Sequence, residues 1–337
     1  MVPLHLTLQT IETLLTPLYW TAVCPYLSIA VLAPGGAAAA AALCTTGTSL
    51  PELDAARAAS LCTRGFFRVD AASTGITSSA IANLERGVHR LVALGHSPSA
   101  ITMYDESWAA GASLTPALRR ASGNAPGSDT VAFLVAPGRH LFSGPHRDKP
   151  LAGVESFRSG GAPMFVTAWL ALSGAPPESS CLYFLPASKD PGYGGPGDLV
   201  REALPTPLAW PSIQSQPCEA GDCLVFSHRL LHWGGEAEEG APPRAALSFS
   251  FADPAFEAAA FDAALLPFPP LPVRLALIAG QAILYAAQAP LNKGALALNN
   301  RIFASQQKSF SAAYSERVLG EAQSIKFMQR QGGGGGR

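Results

Sequence analysis

His146, Arg147 and Asp148 close the stretch VAFLVAPGRHLFSGPHRD (131–148), and a second histidine-bearing run, GDCLVFSHRLLHWGG (221–235), follows much later in the chain. In an extended backbone, residues i and i+2 point to the same side. The His146 imidazole and the Asp148 carboxylate can therefore reach one ion, while Arg147 must point away. His232, from the later run, can supply a third ligand. Two imidazoles and a carboxylate on one face of an octahedral ion leave up to three positions open, which is the donor arrangement of non-haem Fe(II) oxygen chemistry. His228, four residues before His232, can face the same way in an extended segment and is the rival third ligand.

Arg244 opens the run RAALSFSF shortly after His232. A guanidinium inside an apolar interior is costly unless a carboxylate pairs with it, best in a bidentate geometry. No acidic residue of that run offers the pairing, so an external dicarboxylate is the expected partner. Residues 244, 246 and 248 share one strand face, so Ser248 can add a hydroxyl to the same pocket and Ala246 leaves room for a ligand. The competing reading for Arg244 is a surface ion pair with Glu236, Glu238 or Glu239. Arg139, His140, Arg147, Lys149 and Lys189 form a scatter of cations that can rim the site or simply solubilise a charge-poor surface. The segment MYDESW (103–108) can line a substrate pocket or serve the core.

These residues need a β-rich frame. From about residue 130 to 253 the sequence consists of short apolar or alternating runs bounded by Gly, Pro, Ser or Asp: VAFLVAP, MFVTAWLAL, SCLYFLPA, DCLVFS and RAALSFSF. No helix-length pattern separates them, which disfavours a parallel βαβ sheet. The expectation is a mainly β protein with flanking helices, built on a double-stranded β-helix of the jelly-roll, cupin-like kind. Residues 1–50 read as an N-terminal extension, partly low-complexity. Residues 51–330 read as a single domain with its jelly-roll core at about 130–253, and 331–337 as a disordered glycine tail. Ile76–Leu94 is the clearest helix of the first half, with Thr77 or Thr74 as its N-cap and Gly95 at its C-terminal end. The stretch around MYDESW, up to Ser122, reads as a short structured connector and 122–129 as a polar loop. After Asp253 the pattern is helical again, and Val273–Ala287 reads as a buried helix.

Composition narrows the function classes. Among 337 residues, 48% are hydrophobic and only 14% charged, with a formal net charge of -1. There is no cationic excess to neutralise a phosphate backbone, which argues against nucleic acid as the main partner. Cys24, Cys44, Cys62, Cys181, Cys218 and Cys223 show no zinc-ribbon spacing and read as free thiols. The first residues lack a basic region followed by a continuous apolar one, and no stretch reaches the roughly 20 apolar residues a membrane span needs. A small-molecule substrate, no transmembrane segment and a cytoplasmic location are therefore expected.

His146-Arg147-Asp148, Gly221-Asp222 with Phe226, His232 and Arg244 together resemble the pattern of the phytanoyl-CoA dioxygenase family of Fe(II)/2-oxoglutarate enzymes. TAWLALSG and SSCLYFLPASK resemble that family's tryptophan-bearing strand and the segment after it. Ser180, Ala187 and Lys189 depart from the usual Gly, Gly and His there, which bears on loop shape and the substrate mouth rather than on the metal. The resemblance covers roughly residues 60 to 253. It implies iron on His146, Asp148 and His232 and favours His232 over His228. It also implies Arg244 on the C5 carboxylate of 2-oxoglutarate and Trp169 beside the cosubstrate. The implied activity consumes O2 and 2-oxoglutarate, releases succinate and CO2, and hydroxylates an unactivated C–H bond of a small organic substrate. An aspartate at 148, where related halogenases carry a small residue, argues against halogenation. The alternatives are a JmjC-like oxygenase acting on protein, disfavoured by an arginine placed after His232, and a non-catalytic cupin-like metal-binding protein.

Overall fold

The computed structural model describes residues 11–29, 51–138, 144–149, 155–194, 207–287 and 289–331. Strands β1 (Phe66–Val69), β2 (Ala125–Val135), β3 (Phe165–Ala171), β6 (Cys223–Ser227) and β8 (Arg244–Ala252) form an antiparallel sheet in the order β1-β6-β3-β8-β2. Strands β4 (Leu182–Leu185), β5 (Gln214–Gln216) and β7 (Leu231–Gly234) form a second antiparallel sheet in the order β5-β4-β7.

The period of two along each strand sorts side chains into two different interiors. Val166, Ala168 and Leu170 of β3, Cys223 and Val225 of β6, and Ala245, Leu247, Phe249 and Phe251 of β8 join one large apolar cluster with the helices. The alternate residues, Trp169 and Ala171, Leu224 and Phe226, and Ala246, join a smaller cluster with Leu182 and Phe184 of the second sheet. Strands β3, β6 and β8 thus pack apolar side chains on both faces, which is why their runs read as largely apolar.

The mainly β, jelly-roll expectation is corrected by this architecture. Among the described residues 46% are helical and 21% strand, and the two sheets stay open rather than closing into a barrel. The imbalance has a physical source in the helices Pro51–Arg64, Ser78–Ala93, Asp105–Ser122, Leu271–Leu284, Lys293–Ser305 and Ala312–Gln331, each long against strands of three to eleven residues. The expected connector after Ile101 is itself a helix, Asp105–Ser122, despite Gly111 and Pro116. Burial of Trp108, Leu114, Leu118 and Ala121 outweighs their poor propensity. β2 likewise begins inside the expected loop, at Ala125.

Other local expectations hold. Thr77, not Thr74, caps Ser78–Ala93, its hydroxyl accepting from the Ala80 N–H at 3.2 Å, and Gly95 follows with φ +84°. Leu271–Leu284 is buried along most of its length, and no described helix is long and apolar enough to cross a membrane. MYDESW proves to be part of the core. Tyr104 donates to the Trp20 carbonyl, Trp108 to the Thr102 carbonyl, and the Ser28 N–H donates to Glu106. Asp105 pairs with Arg274 at 2.6 Å, both side chains fully buried, and Arg274 also donates to the carbonyls of Pro269 and Met103. Breaking a buried pair of this kind costs about 3–5 kcal/mol. Arg274→Ala is therefore expected to lower unfolding stability by about that amount, read as a shift of the urea midpoint at unchanged slope.

Candidate metal centre and cosubstrate pocket

A two-way backbone exchange brings the first two ligand candidates together. The His146 N–H donates to the His232 carbonyl at 2.9 Å and the His232 N–H returns to the His146 carbonyl at 3.0 Å. Residues paired across antiparallel strands in this way present side chains on the same face, and the two imidazole centroids lie 4.3 Å apart. One step of two residues then brings Asp148 to that face. Its own N–H is held by the His228 carbonyl at 3.0 Å. Asp148 Oδ1 lies 4.0 Å from His146 Nε2 and 3.5 Å from His232 Nε2. The three donor atoms fall within 4.8 Å of one another, close enough to share one metal ion.

The donor chemistry fits a divalent transition metal. His146 Nδ1 is 3.1 Å from the Gly144 carbonyl and His232 Nδ1 is 3.0 Å from the Leu230 carbonyl. Each carbonyl demands a proton on Nδ1, which makes Nε2 the lone-pair nitrogen in both rings. Burial and the neighbouring His146 push His232 well below the ordinary histidine range, favouring the neutral ring a metal requires. Burial alone would raise the Asp148 carboxyl, but His232, His146 and the Thr167 hydroxyl together hold it below its usual value. Thr167 donates to Asp148 Oδ2 at 2.5 Å. Sequence reasoning missed this residue, although it stands two positions before Trp169 on the same face of β3.

His228 does not join the cluster. It is fully buried, its Nδ1 donating to the Phe165 carbonyl at 2.9 Å, with Phe256 at a centroid distance of 4.7 Å. Burial lowers its pKa to about 4, so the ring is neutral. Arg147 points away from the ligand face, as its position between His146 and Asp148 requires, but it does not rim the site. It is completely buried and pairs with Asp190 through two contacts, at 2.6 and 3.1 Å, and also donates to the Arg229 carbonyl. Gly192 covers it so closely that a Cβ there would come within 2.8 Å of the guanidinium. Lys149 is likewise taken up internally, by Glu257 at 2.8 Å and Asp129 at 3.3 Å. Lys189 is exposed, whereas Arg139 and His140 lie outside the described residues. The cationic rim considered from sequence thus loses Arg147 and Lys149. Cys218 and Cys223 are buried free thiols, pushed up by burial. Cys44 and the glycine tail also lie outside the described residues.

Arg244, Ala246 and Ser248 occupy the inner face of β8, and Ser248 is the register partner of Trp169 on β3. Arg244 is 4% exposed, with its guanidinium carbon 5.2 Å from the Trp169 ring centre. Its NH1 donates to the Ser180 carbonyl at 2.6 Å. Its buried Nε has no hydrogen-bond acceptor, and no carboxylate among the described residues pairs with it, so the surface ion pair with Glu236, Glu238 or Glu239 is not formed. Burial lowers its pKa to about 10, still leaving it cationic at neutral pH. Ser180, where the resemblance expects glycine, sits at φ +67° and donates its hydroxyl to the Gly235 carbonyl at 2.5 Å. That left-handed turn aims the carbonyl at Arg244.

The phytanoyl-CoA dioxygenase (PhyH) family profile matches residues 78–245, a segment that contains His146, Asp148, His232 and Arg244. The chain belongs to this family of Fe(II)/2-oxoglutarate oxygenases. No curated protein matches it. Among solved structures, it is similar to the epimerase SnoN in complex with Fe3+, alpha ketoglutarate and nogalamycin RO, at 22% identity over 60% of this chain and 85% of that one, with TM-score 0.48. AviO1 from Streptomyces viridochromogenes Tue57 shares 20% identity over 62% and 98% of the two chains, with TM-score 0.45. HygX from Streptomyces hygroscopicus, with nickel and 2-oxoglutarate bound, shares 14% over 57% and 84%, with TM-score 0.41.

The geometry separates the two histidines of the later run. His232→Ala is expected to abolish Fe(II) binding in an anaerobic titration, and His228→Ala to leave it within a few-fold of the parent. Full retention of iron by His232→Ala would reject the ligand set.

Proposed function

We propose that the protein is an Fe(II)- and 2-oxoglutarate-dependent dioxygenase that hydroxylates an unactivated C–H bond of a small organic substrate. The observation that carries this reading is the cluster of His146, Asp148 and His232 on one face, with both imidazoles held by backbone carbonyls so that Nε2 is the ligating nitrogen. Iron bound there would supply O2 activation coupled to oxidative decarboxylation of 2-oxoglutarate to succinate and CO2.

The chain's own residues would do the rest. Arg244 is the group for the cosubstrate's far carboxylate, because its charge is buried and its Nε lacks an acceptor. The Ser180 carbonyl and the Trp169 ring fix the orientation of the guanidinium, Ala246 leaves space above the strand, and Ser248 offers a hydroxyl along the same face. Phe226, Phe184 and Leu182 pack with Trp169 and Ala246 in one apolar cluster, which would limit water around a carboxylate paired with Arg244 and so strengthen the pair. Asp148 as the carboxylate ligand supports hydroxylation over halogenation, since a halide needs the position a carboxylate fills.

Turnover is tested by succinate release from the Fe(II)-loaded protein across acyl-CoA thioesters, free carboxylic acids, amino acids and neutral terpenoid-like compounds. The expected product is heavier by one oxygen atom. Succinate with no oxidised product from any compound would leave the hydroxylase reading without its substrate half. Absence of succinate altogether would favour a metal-binding protein without catalysis.

The Arg244 assignment has its own readout. A charge-assisted hydrogen bond contributes about 1.5–3 kcal/mol, so Arg244→Ala is expected to weaken 2-oxoglutarate binding roughly 10- to 100-fold by calorimetry with iron affinity unchanged. Unaltered 2-oxoglutarate binding would reject the role.

A further inference from the structure

We infer that Thr167 is a positioning residue that holds Asp148 as a one-oxygen ligand, keeping a coordination position open at the proposed iron. The inference rests on the metal-centre reading above. The two oxygens of Asp148 have different surroundings. Oδ2 accepts the Thr167 hydroxyl at 2.5 Å, whereas Oδ1 is the oxygen that faces His146 Nε2 and His232 Nε2. A carboxylate free to rotate about its last bond can offer both oxygens to a cation. One whose second oxygen is engaged by a fixed donor offers only the first.

The donor is fixed by its place in the sheet. Thr167 stands in the middle of β3, paired with Phe226 on one side and Ser250 on the other, and is 9% exposed. β3 therefore presents two consecutive groups on its inner face, Thr167 to the carboxylate and Trp169 to the Arg244 guanidinium. Its backbone sets the spacing between them. The count of coordination positions gives the bond its importance. Three protein donors on an octahedral ion would leave three positions for the cosubstrates, and an Asp148 that offered both oxygens would take one of them away.

Thr167→Val removes the hydroxyl while keeping a β-branched side chain suited to a central strand, and Thr167→Ser keeps the hydroxyl on a smaller one. Each variant and the parent protein would be titrated with Co(II) alone, reading affinity by chelator competition and coordination by the visible absorption spectrum. Partners behind a metal ligand typically govern affinity by about 10- to 100-fold. Thr167→Val is expected to bind Co(II) with an affinity changed on that scale and with a visible spectrum altered in intensity, and Thr167→Ser to restore both. A purely structural role would change the melting temperature but leave the spectrum of the bound ion as in the parent. A Thr167→Val protein matching the parent in affinity and spectrum overturns the inference and leaves the metal centre standing. If the Val variant fails to fold, a Thr167→Ser protein with the altered spectrum overturns it equally. A parent protein that takes up no Co(II) removes the metal-centre reading, and the role of Thr167 with it.

Discussion

The structure depends on one narrow contact, the pair of backbone hydrogen bonds that His146 and His232 exchange. The two residues are 86 positions apart, and the exchange sets their imidazoles side by side. The exchange converts a question of long-range folding into one of strand register, because a slip of one residue would turn every side chain of the segment to the opposite face. Asp148 follows automatically, two residues on, and its own N–H is anchored by the His228 carbonyl. His228 thus contributes to the site through its backbone while its ring closes the apolar packing of Phe165 and Phe256.

The same logic explains the buried charges near the centre. Arg147 must emerge on the face opposite its two neighbours, and the fold meets that demand with Asp190, the Arg229 carbonyl and a glycine at 192. Lys149 is met by Asp129 and Glu257, and Glu257 in turn pairs with Arg317 of the C-terminal helix. Each cation in HRDK is neutralised from within. Arg244 alone of these cations faces no acidic side chain among the described residues, and the role proposed for it toward an external anion rests on that contrast.

Much of the site was legible because short-range rules govern it. The i, i+2 relation placed His146 and Asp148 on one side and Arg147 on the other, and the same relation along β8 placed Arg244, Ala246 and Ser248 together. The choice between His228 and His232 could not be made from spacing, since four residues separate them and the chain turns between β6 and β7. Asp190 was invisible because its partner is 43 residues away and nothing local marks it. The architecture was misjudged for a related reason. The apolar runs of 130–253 identified strands correctly, but the balance of helix against strand is decided by regions outside them. A segment such as Asp105–Ser122 forms a helix through tertiary burial that its glycine and proline conceal.

The position of β8 in the larger sheet bears on how this protein could be recombined. The family-matched segment stops at residue 245, one residue after Arg244, whereas β8 continues to Ala252 and lies between β3 and β2. A chimaera spliced at that boundary would keep the candidate metal ligands and the arginine but would cut through the middle of a sheet, separating two strands joined through the third. Glu257, which engages the lysine next to Asp148, would go with the excised part. The natural crossover points for grafting this catalytic unit onto another scaffold therefore lie beyond the acidic residue at 257. The C-terminal helices are better treated as part of the cassette than as an appendage.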